Sequence, residues 1–261
     1  MRYFWRFSLL AVVSMTALTS AAHAATPAPQ TPAARQVDVE LVIAVDVSGS
    51  MSEIEHKTQR DGFVAAFRDA RLVRAIQSGV RGRIAVTYVE WGDQFSQRIL
   101  VPWRIVQDAA SAQAFAAELA PLPRSPIRGT SISGALEFSS KLFAGNGIES
   151  FRRVIDVSGD GPNRTGELVD DVRDRVVKAG IIINGLPIML GPMIHRRTHG
   201  YGLDAYFADC VIGGPGAFVM PVLEQDALAE AIRRKLILEL SGQVPEVTHV
   251  QFSIDGRAPQ N

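Results

Sequence analysis

The chain has 261 residues, 27 Lys and Arg against 27 Asp and Glu, five His and one Cys. That length suits one large α/β domain with a sizeable core. The balanced charge, with no basic stripe and no aromatic-studded basic patch, argues against nucleic acid as a partner. Cys210 stands alone, so a disulfide framework within the chain is excluded.

Arg2 and Arg6 precede an apolar stretch, Phe7 to Leu18, and Ala22-His23-Ala24 offers a small-x-small cleavage signal. The pattern predicts a secretory signal peptide over residues 1–24, with an apolar stretch too short for a comfortable membrane span. An uncleaved N-terminal anchor is the alternative. Arg2 and Arg6 are not adjacent, so the twin-arginine route is not indicated. Without them the balance becomes 25 basic against 27 acidic residues. Residues 25–36, rich in Ala, Pro and Thr, read as a flexible leader. The domain is expected over 37–240, with a polar tail over 241–261 that has room for a strand at Val247–Ile254.

Val39–Val45 is a continuous apolar run, the pattern of a strand buried on both faces of a parallel sheet. It stops at Asp46. Ser48 and Ser50 follow, with Gly49 letting the chain bend between them. A carboxylate and two hydroxyls therefore leave one tight turn at the carboxyl end of a strand, where open α/β sheets place ligands. Such hard oxygens favour Mg²⁺, Ca²⁺ or Mn²⁺ over zinc. Ser52–Gln77 has helical apolar spacing. Glu53, Glu55, His56 and Lys57 sit near its start, and read as a solvated first turn rather than as ligands.

Ile84–Trp91 and Gln97–Trp103 alternate and flank the turn signal Gly92-Asp93-Gln94, so they read as a hairpin. Trp91 and Trp103 read as packing. Asp93 stays open between turn and metal face. Asp108–Ala120 is an Ala-rich helix with Asp108 as N-cap. A Pro-rich loop then leads to Thr130, just before a helix over Ser131–Phe143. Taken alone, Thr130 is better read as that helix's cap than as a metal ligand.

Phe151–Val157 is a further strand, and Gly159-Asp160-Gly161-Pro162-Asn163 a turn beyond it. Asp160 alone reads as an ordinary turn aspartate. Asp156 reads as a buried hydrogen-bonding carboxylate or a strand-edge residue. Thr165–Ala179 is a helix stopped by Gly180, and Ile181–Leu190 a buried strand. Residues 191–206 show little periodicity. His195 and His199 in that stretch lack the partners a zinc site needs. Cys210, in the apolar run Phe207 to Ile212, reads as buried and inert. Gly213–Gly216 feeds a short strand, Ala217–Met220, and lacks the Lys and Ser or Thr of a phosphate loop. Glu224–Leu240 closes the domain as an amphipathic helix. The strands and helices together read as an α/β domain.

Asp46-Val-Ser48-Gly-Ser50 resembles the first part of the metal-ion-dependent adhesion site of von Willebrand factor type A domains. Gly129-Thr130-Ser131 resembles the second part, the threonine loop. Ser158-Gly159-Asp160-Gly161 resembles the third, the aspartate loop. All three stand in order, and the resemblance covers roughly Val37 to Leu240. The runs at Tyr88–Trp91, Ile155–Pro162 and Asp209–Phe218 resemble an uncharacterised bacterial secreted group of that superfamily, which carries no function over.

The resemblance implies an α/β, three-layer, doubly wound Rossmann-like fold, its central sheet mostly parallel with one antiparallel edge strand. It also implies a Mg²⁺ site, or Mn²⁺ or Ca²⁺, built by Asp46, Ser48, Ser50, Thr130 and Asp160. The three motif parts together outweigh the cap reading of Thr130. An incomplete shell would take a Glu or Asp carboxylate from a protein partner, in the periplasm or outside the cell. A metal-assisted hydrolase is the opposing reading. It lacks a triad, a G-x-S-x-G elbow and a positioned base, so no enzyme activity is expected. A structural domain with a vestigial site is the third.

Overall fold

The computed structural model describes residues 35–122, 127–190 and 202–242. The signal peptide, most of the leader, His195, His199 and Val247–Ile254 lie outside the described residues.

Five strands form one sheet in the order β3-β2-β1-β4-β5. They are β1 (Gln36–Asp46), β2 (Ile84–Trp91), β3 (Gln97–Val106), β4 (Glu149–Gly159) and β5 (Ile181–Pro187). β1 pairs in parallel with β2 and β4, β4 pairs in parallel with β5, and β3 runs antiparallel to β2. Val219 and Val222 add isolated parallel bridges to Gly185 and Ile188, where the sequence predicts a short strand.

The apolar run of β1 is explained by helices on both faces. Val39, Leu41, Ile43 and Val45 enter one layer with α1 (Glu53–Arg68), α2 (Ala70–Gln77), α3 (Ala109–Leu119) and α7 (Leu228–Ser241). Val42 and Ala44 enter the other, with α4 (Ile132–Lys141) and α5 (Val169–Lys178). A strand covered twice cannot alternate apolar with polar residues without burying a polar one. Each fully buried aliphatic side chain contributes about 1.5–3 kcal/mol to that packing.

Several boundaries differ from the sequence expectation. The predicted helix over Ser52–Gln77 is two helices. Asp69 ends α1 in an extended conformation, and its side chain accepts from Arg71 N to cap α2. α5 starts at Val169 rather than Thr165, because residues 163–167 are engaged elsewhere: Asn163 Nδ2 donates to Glu167 O, and Thr165 O accepts from Ser131 Oγ. α7 starts at Leu228 rather than Glu224. The stretch read as loop up to Tyr206 contains a helical turn, α6 (Leu203–Tyr206), which runs into a π-helical turn at Phe207–Val211. Cys210 there is half-buried, and burial pushes its thiol up, away from the nucleophilic form. Trp91 is fully buried and Trp103 donates to Leu142 O, so both pack.

From β1 the chain crosses to β2 on one side, and the strand on its other side is β4. The crevice outside the carboxyl ends of β1 and β4 is therefore a topological switch point, the usual ligand position of such sheets. The turns after Asp46 and after Gly159 both open there.

Candidate metal centre

Asp46, the last residue of β1, is fully buried. Its Oδ1 accepts from the Ser48 backbone N–H at 2.7 Å, which folds the turn back over the strand end. Ser48 Oγ lies 2.9 Å from Ser50 Oγ, and Ser50 Oγ donates to Asp160 Oδ1 at 2.7 Å. Residues 110 positions apart are thus joined at one point.

Backbone bonds stitch the remaining loop to both of these. Ile127 N donates to Val47 O at 3.0 Å. Thr130 O accepts from Arg164 N at 2.9 Å and Thr165 N at 3.3 Å. Thr130 itself is buried. The N-cap of α4 is Ser131, whose Oγ accepts from Gly134 N at 3.1 Å. The capping role that Thr130 could have played in the sequence is therefore taken by its neighbour.

Two glycines make the approach possible. Gly129 has φ +83°, and a Cβ there would stand 2.7 Å from Asp93 Cβ. A Cβ on Gly159 would stand 3.1 Å from Asp46 Oδ2 and 3.3 Å from the Trp91 ring. The space beside the Asp46 carboxylate thus exists because residue 159 has no side chain.

The electrostatics leave this cup short of positive charge. Burial first, and then the charge of Asp160, push the Asp46 carboxyl up to about 7. Burial likewise raises Asp160. Asp46 Oδ2 is buried with no hydrogen-bond partner among the described residues. An unmet buried carboxylate oxygen, a second carboxylate and two hydroxyls within reach form a donor set that fits a hard divalent cation. Among the described residues no group of three or more His, Cys, Asp or Glu is placed to hold a metal ion, so any site here must draw on the hydroxyls.

The neighbours divide as follows. Glu55 closes a capping box with Ser52 at the start of α1, and its charge adds to the raising of Asp160. His56 Nε2 lies 3.3 Å from the Ser48 carbonyl and donates to it, so it braces the turn. Asp93 Oδ1 accepts from Phe95 N at 2.9 Å, which holds its carboxyl below the ordinary range, and its Cβ abuts Gly129. It is a turn residue supporting the threonine loop.

Sequence reasoning missed the supports between the loops. Ser133 N donates to Asn163 Oδ1 at 3.0 Å, Asn163 N donates to the Tyr206 hydroxyl at 3.2 Å, and Gln59 Nε2 donates to Ser158 Oγ at 2.8 Å. Ser133 and Asn163 are polar residues two positions from a motif part, the one signal that could have marked them, whereas Gln59 and Tyr206 lie away from the motif parts in the chain.

A mostly parallel sheet with one antiparallel edge, helices on both faces and three converging loops define a von Willebrand factor type A-like domain. The chain belongs to the family described as "Protein of unknown function (DUF1194)", whose model matches residues 36–244. Among curated proteins none matches.

Solved structures share the fold. Proximal thread matrix protein 1 from the mussel byssus, with a zinc-occupied MIDAS motif, superposes with TM-score 0.54 at 12% identity, covering 78% of this chain and 46% of that one. The pilus adhesin SpaC of Lactobacillus rhamnosus GG gives 0.55 at 14% identity, covering 78% and 31%. The chain thus spans less than half the length of each, and at these identities the likeness is one of fold.

Proposed function

We propose that this domain binds a divalent cation, Mg²⁺ or in its place Mn²⁺ or Ca²⁺, and recognises a protein partner through it. Asp46, Ser48, Ser50, Thr130 and Asp160 would hold the ion. Two carboxylates only partly neutralise a divalent charge, so the bound ion supplies a positive position that attracts a Glu or Asp carboxylate of the partner. The observation that carries this reading is the meeting of Ser50 Oγ and Asp160 Oδ1 at 2.7 Å above the unpartnered Asp46 Oδ2. The adhesin among the structural neighbours and the occupied MIDAS of the mussel protein support it.

The reading includes binding without turnover. His56, the nearest imidazole described, is engaged with the Ser48 carbonyl rather than poised over an open position. The proposed setting is the periplasm or the cell exterior, from the N-terminal signal pattern. No helix of the described residues is long and apolar enough to cross a membrane.

Calorimetric titration with Mg²⁺ and Mn²⁺ tests the first half. Wild type should bind, and Asp46→Ala and Asp160→Ala should not. The second half is tested by capture from periplasmic extract with Mg²⁺, with EDTA, and with Asp46→Ala. A partner retained equally in all three would refute metal-bridged recognition.

A further inference from the structure

Below the metal loops, between β4 and α7, four polar side chains are packed together in the interior. Lys235 of α7 contacts Asp156 of β4 and Glu239 of its own helix, and Asn184 of β5 donates to Glu239 Oε1 at 2.9 Å. Lys235 is fully buried, and the other three are at most 3% exposed. The Phe218 ring centroid lies 5.6 Å from Lys235 Nζ. Arg152 donates to the carbonyls of Glu239 and Leu240 and leaves the carboxyls to the lysine.

An amine and a carboxyl held in this way are the two halves of an amide. A nitrogen in contact with one carboxyl oxygen stands about 3–3.5 Å from the carboxyl carbon, the separation of a near-attack conformer. In water such a pair stays apart, because both groups are ionised and bulk water drives the amide back. Both obstacles are weaker here. Burial penalises two ions and spares a neutral amide, and the closed interior keeps water from the product. Burial opposes the Lys235 ammonium, but its two acids more than offset this, so the pair starts as ions.

Glu239 supplies the third part. Burial, and then the charge of Asp156, push its carboxyl up to about 8, so at neutral pH it holds a proton. Its Oε1 already receives Asn184 and Lys235, and its Oε2 is buried with no hydrogen-bond partner among the described residues. The proton therefore sits on Oε2.

We propose that Lys235 and Asp156 condense within the folded chain into a side-chain amide, with Glu239 as the proton relay. One proton passes from Nζ to the Asp156 carboxylate, which makes amine and acid neutral without changing the net charge. Nζ then attacks Cγ. Glu239 Oε1 takes a second proton from the nitrogen, and Oε2 passes its own to the departing oxygen. One N–C bond forms, one C–O bond breaks, a single water leaves, and Glu239 ends as it began. No outside reagent enters. The bond ties α7 to β4 across 79 residues, in a chain whose single cysteine cannot form an internal disulfide. It is independent of the metal reading above.

Peptide mapping of the purified full chain tests this. Trypsin should release residues 154–164 and 235–257 as one joined species, lighter by one water than the two together, with little free 154–164. The joined peptide decides rather than the intact mass, because Asp160-Gly161 also loses water on cyclising to a succinimide. Glu239→Gln keeps an acceptor for Asn184 but cannot relay the proton, and its joined species should form about a hundredfold more slowly. Free 154–164 in full yield from the folded wild type would overturn the proposal. An unchanged rate in Glu239→Gln would overturn the relay.

Discussion

Two pairs of acidic residues stand in the domain, Asp156 with Glu239 and Asp46 with Asp160, and they are handled differently. Near the middle of the sheet, Asp156 of β4 and Glu239 of α7 share Lys235, whose ammonium contacts both. Asn184 of β5 donates to Glu239 Oε1 at 2.9 Å. All four residues are buried. Burial pulls the Lys235 ammonium down, but its two acidic neighbours more than offset this. At the strand ends Asp46 and Asp160 also meet; hydroxyls and a backbone N–H bond to them, and the charges of Glu55 and Arg164 act on Asp160 in opposite senses. The first pair is neutralised largely from within the chain and is architecture. Among the described residues the second has no ammonium shared between its carboxylates, and that marks it as a candidate site.

The largest effect should come from breaking the first pair. Lys235→Met leaves two buried acidic groups without the ammonium they share. It should cost about 3–5 kcal/mol in chemical denaturation, the usual loss when one partner of a buried ion pair is removed.

The second pair should respond in the opposite sense, by gaining from an added ion. At a hundredfold excess of Mg²⁺ over its Kd, wild type should gain about 2.7 kcal/mol in the same assay. Asp46→Asn and Asp160→Asn should lose that gain. Asp156→Asn, though destabilised, should keep it. If Asp156→Asn loses the gain as well, the division between the two pairs is wrong.

A third experiment reads the first pair through pH. Burial, and then the charge of Asp156, raise the Glu239 carboxyl from 4.5 to about 8. Between those values the folded chain holds a proton that the unfolded chain has released. The resulting stability is whole below pH 4.5 and is lost as pH rises through about 8. Tm measured at saturating Mg²⁺ should therefore fall over that window, and Glu239→Gln should flatten the fall. An unchanged slope in that variant would assign it to other groups.

The smallest effect lies between the two regions, at the start of α1. Ser52→Ala removes a capping box beside the metal turn and should cost about 1 kcal/mol in a thermal melt, with Mg²⁺ affinity little changed.

Much of the second pair was legible in the chain. Asp46, Ser48 and Ser50 follow an apolar strand directly, and Asp160 follows another, so each could be placed at a strand end from local pattern alone. The role of Thr130 was not legible from its own neighbourhood, since Thr130 and Ser131 are both capping residues. Only the bond from Gly134 N to Ser131 Oγ assigns the cap. The break at Asp69 was in principle readable, because Asp is a capping residue, but the helical spacing continues across it. The first pair was the least legible. Asp156 could be read as buried, whereas its cation stands 79 residues further on, in what reads as an amphipathic surface helix.

The sequence by itself determined the strands, the turns that follow them and the oxygen donors each turn presents, because these depend on residues adjacent along the chain. Tertiary structure alone decided which acids share an ammonium and which meet hydroxyls and a backbone N–H instead. The reason is that Coulomb and desolvation energies depend on distance and burial, and both are set by packing between segments far apart in sequence.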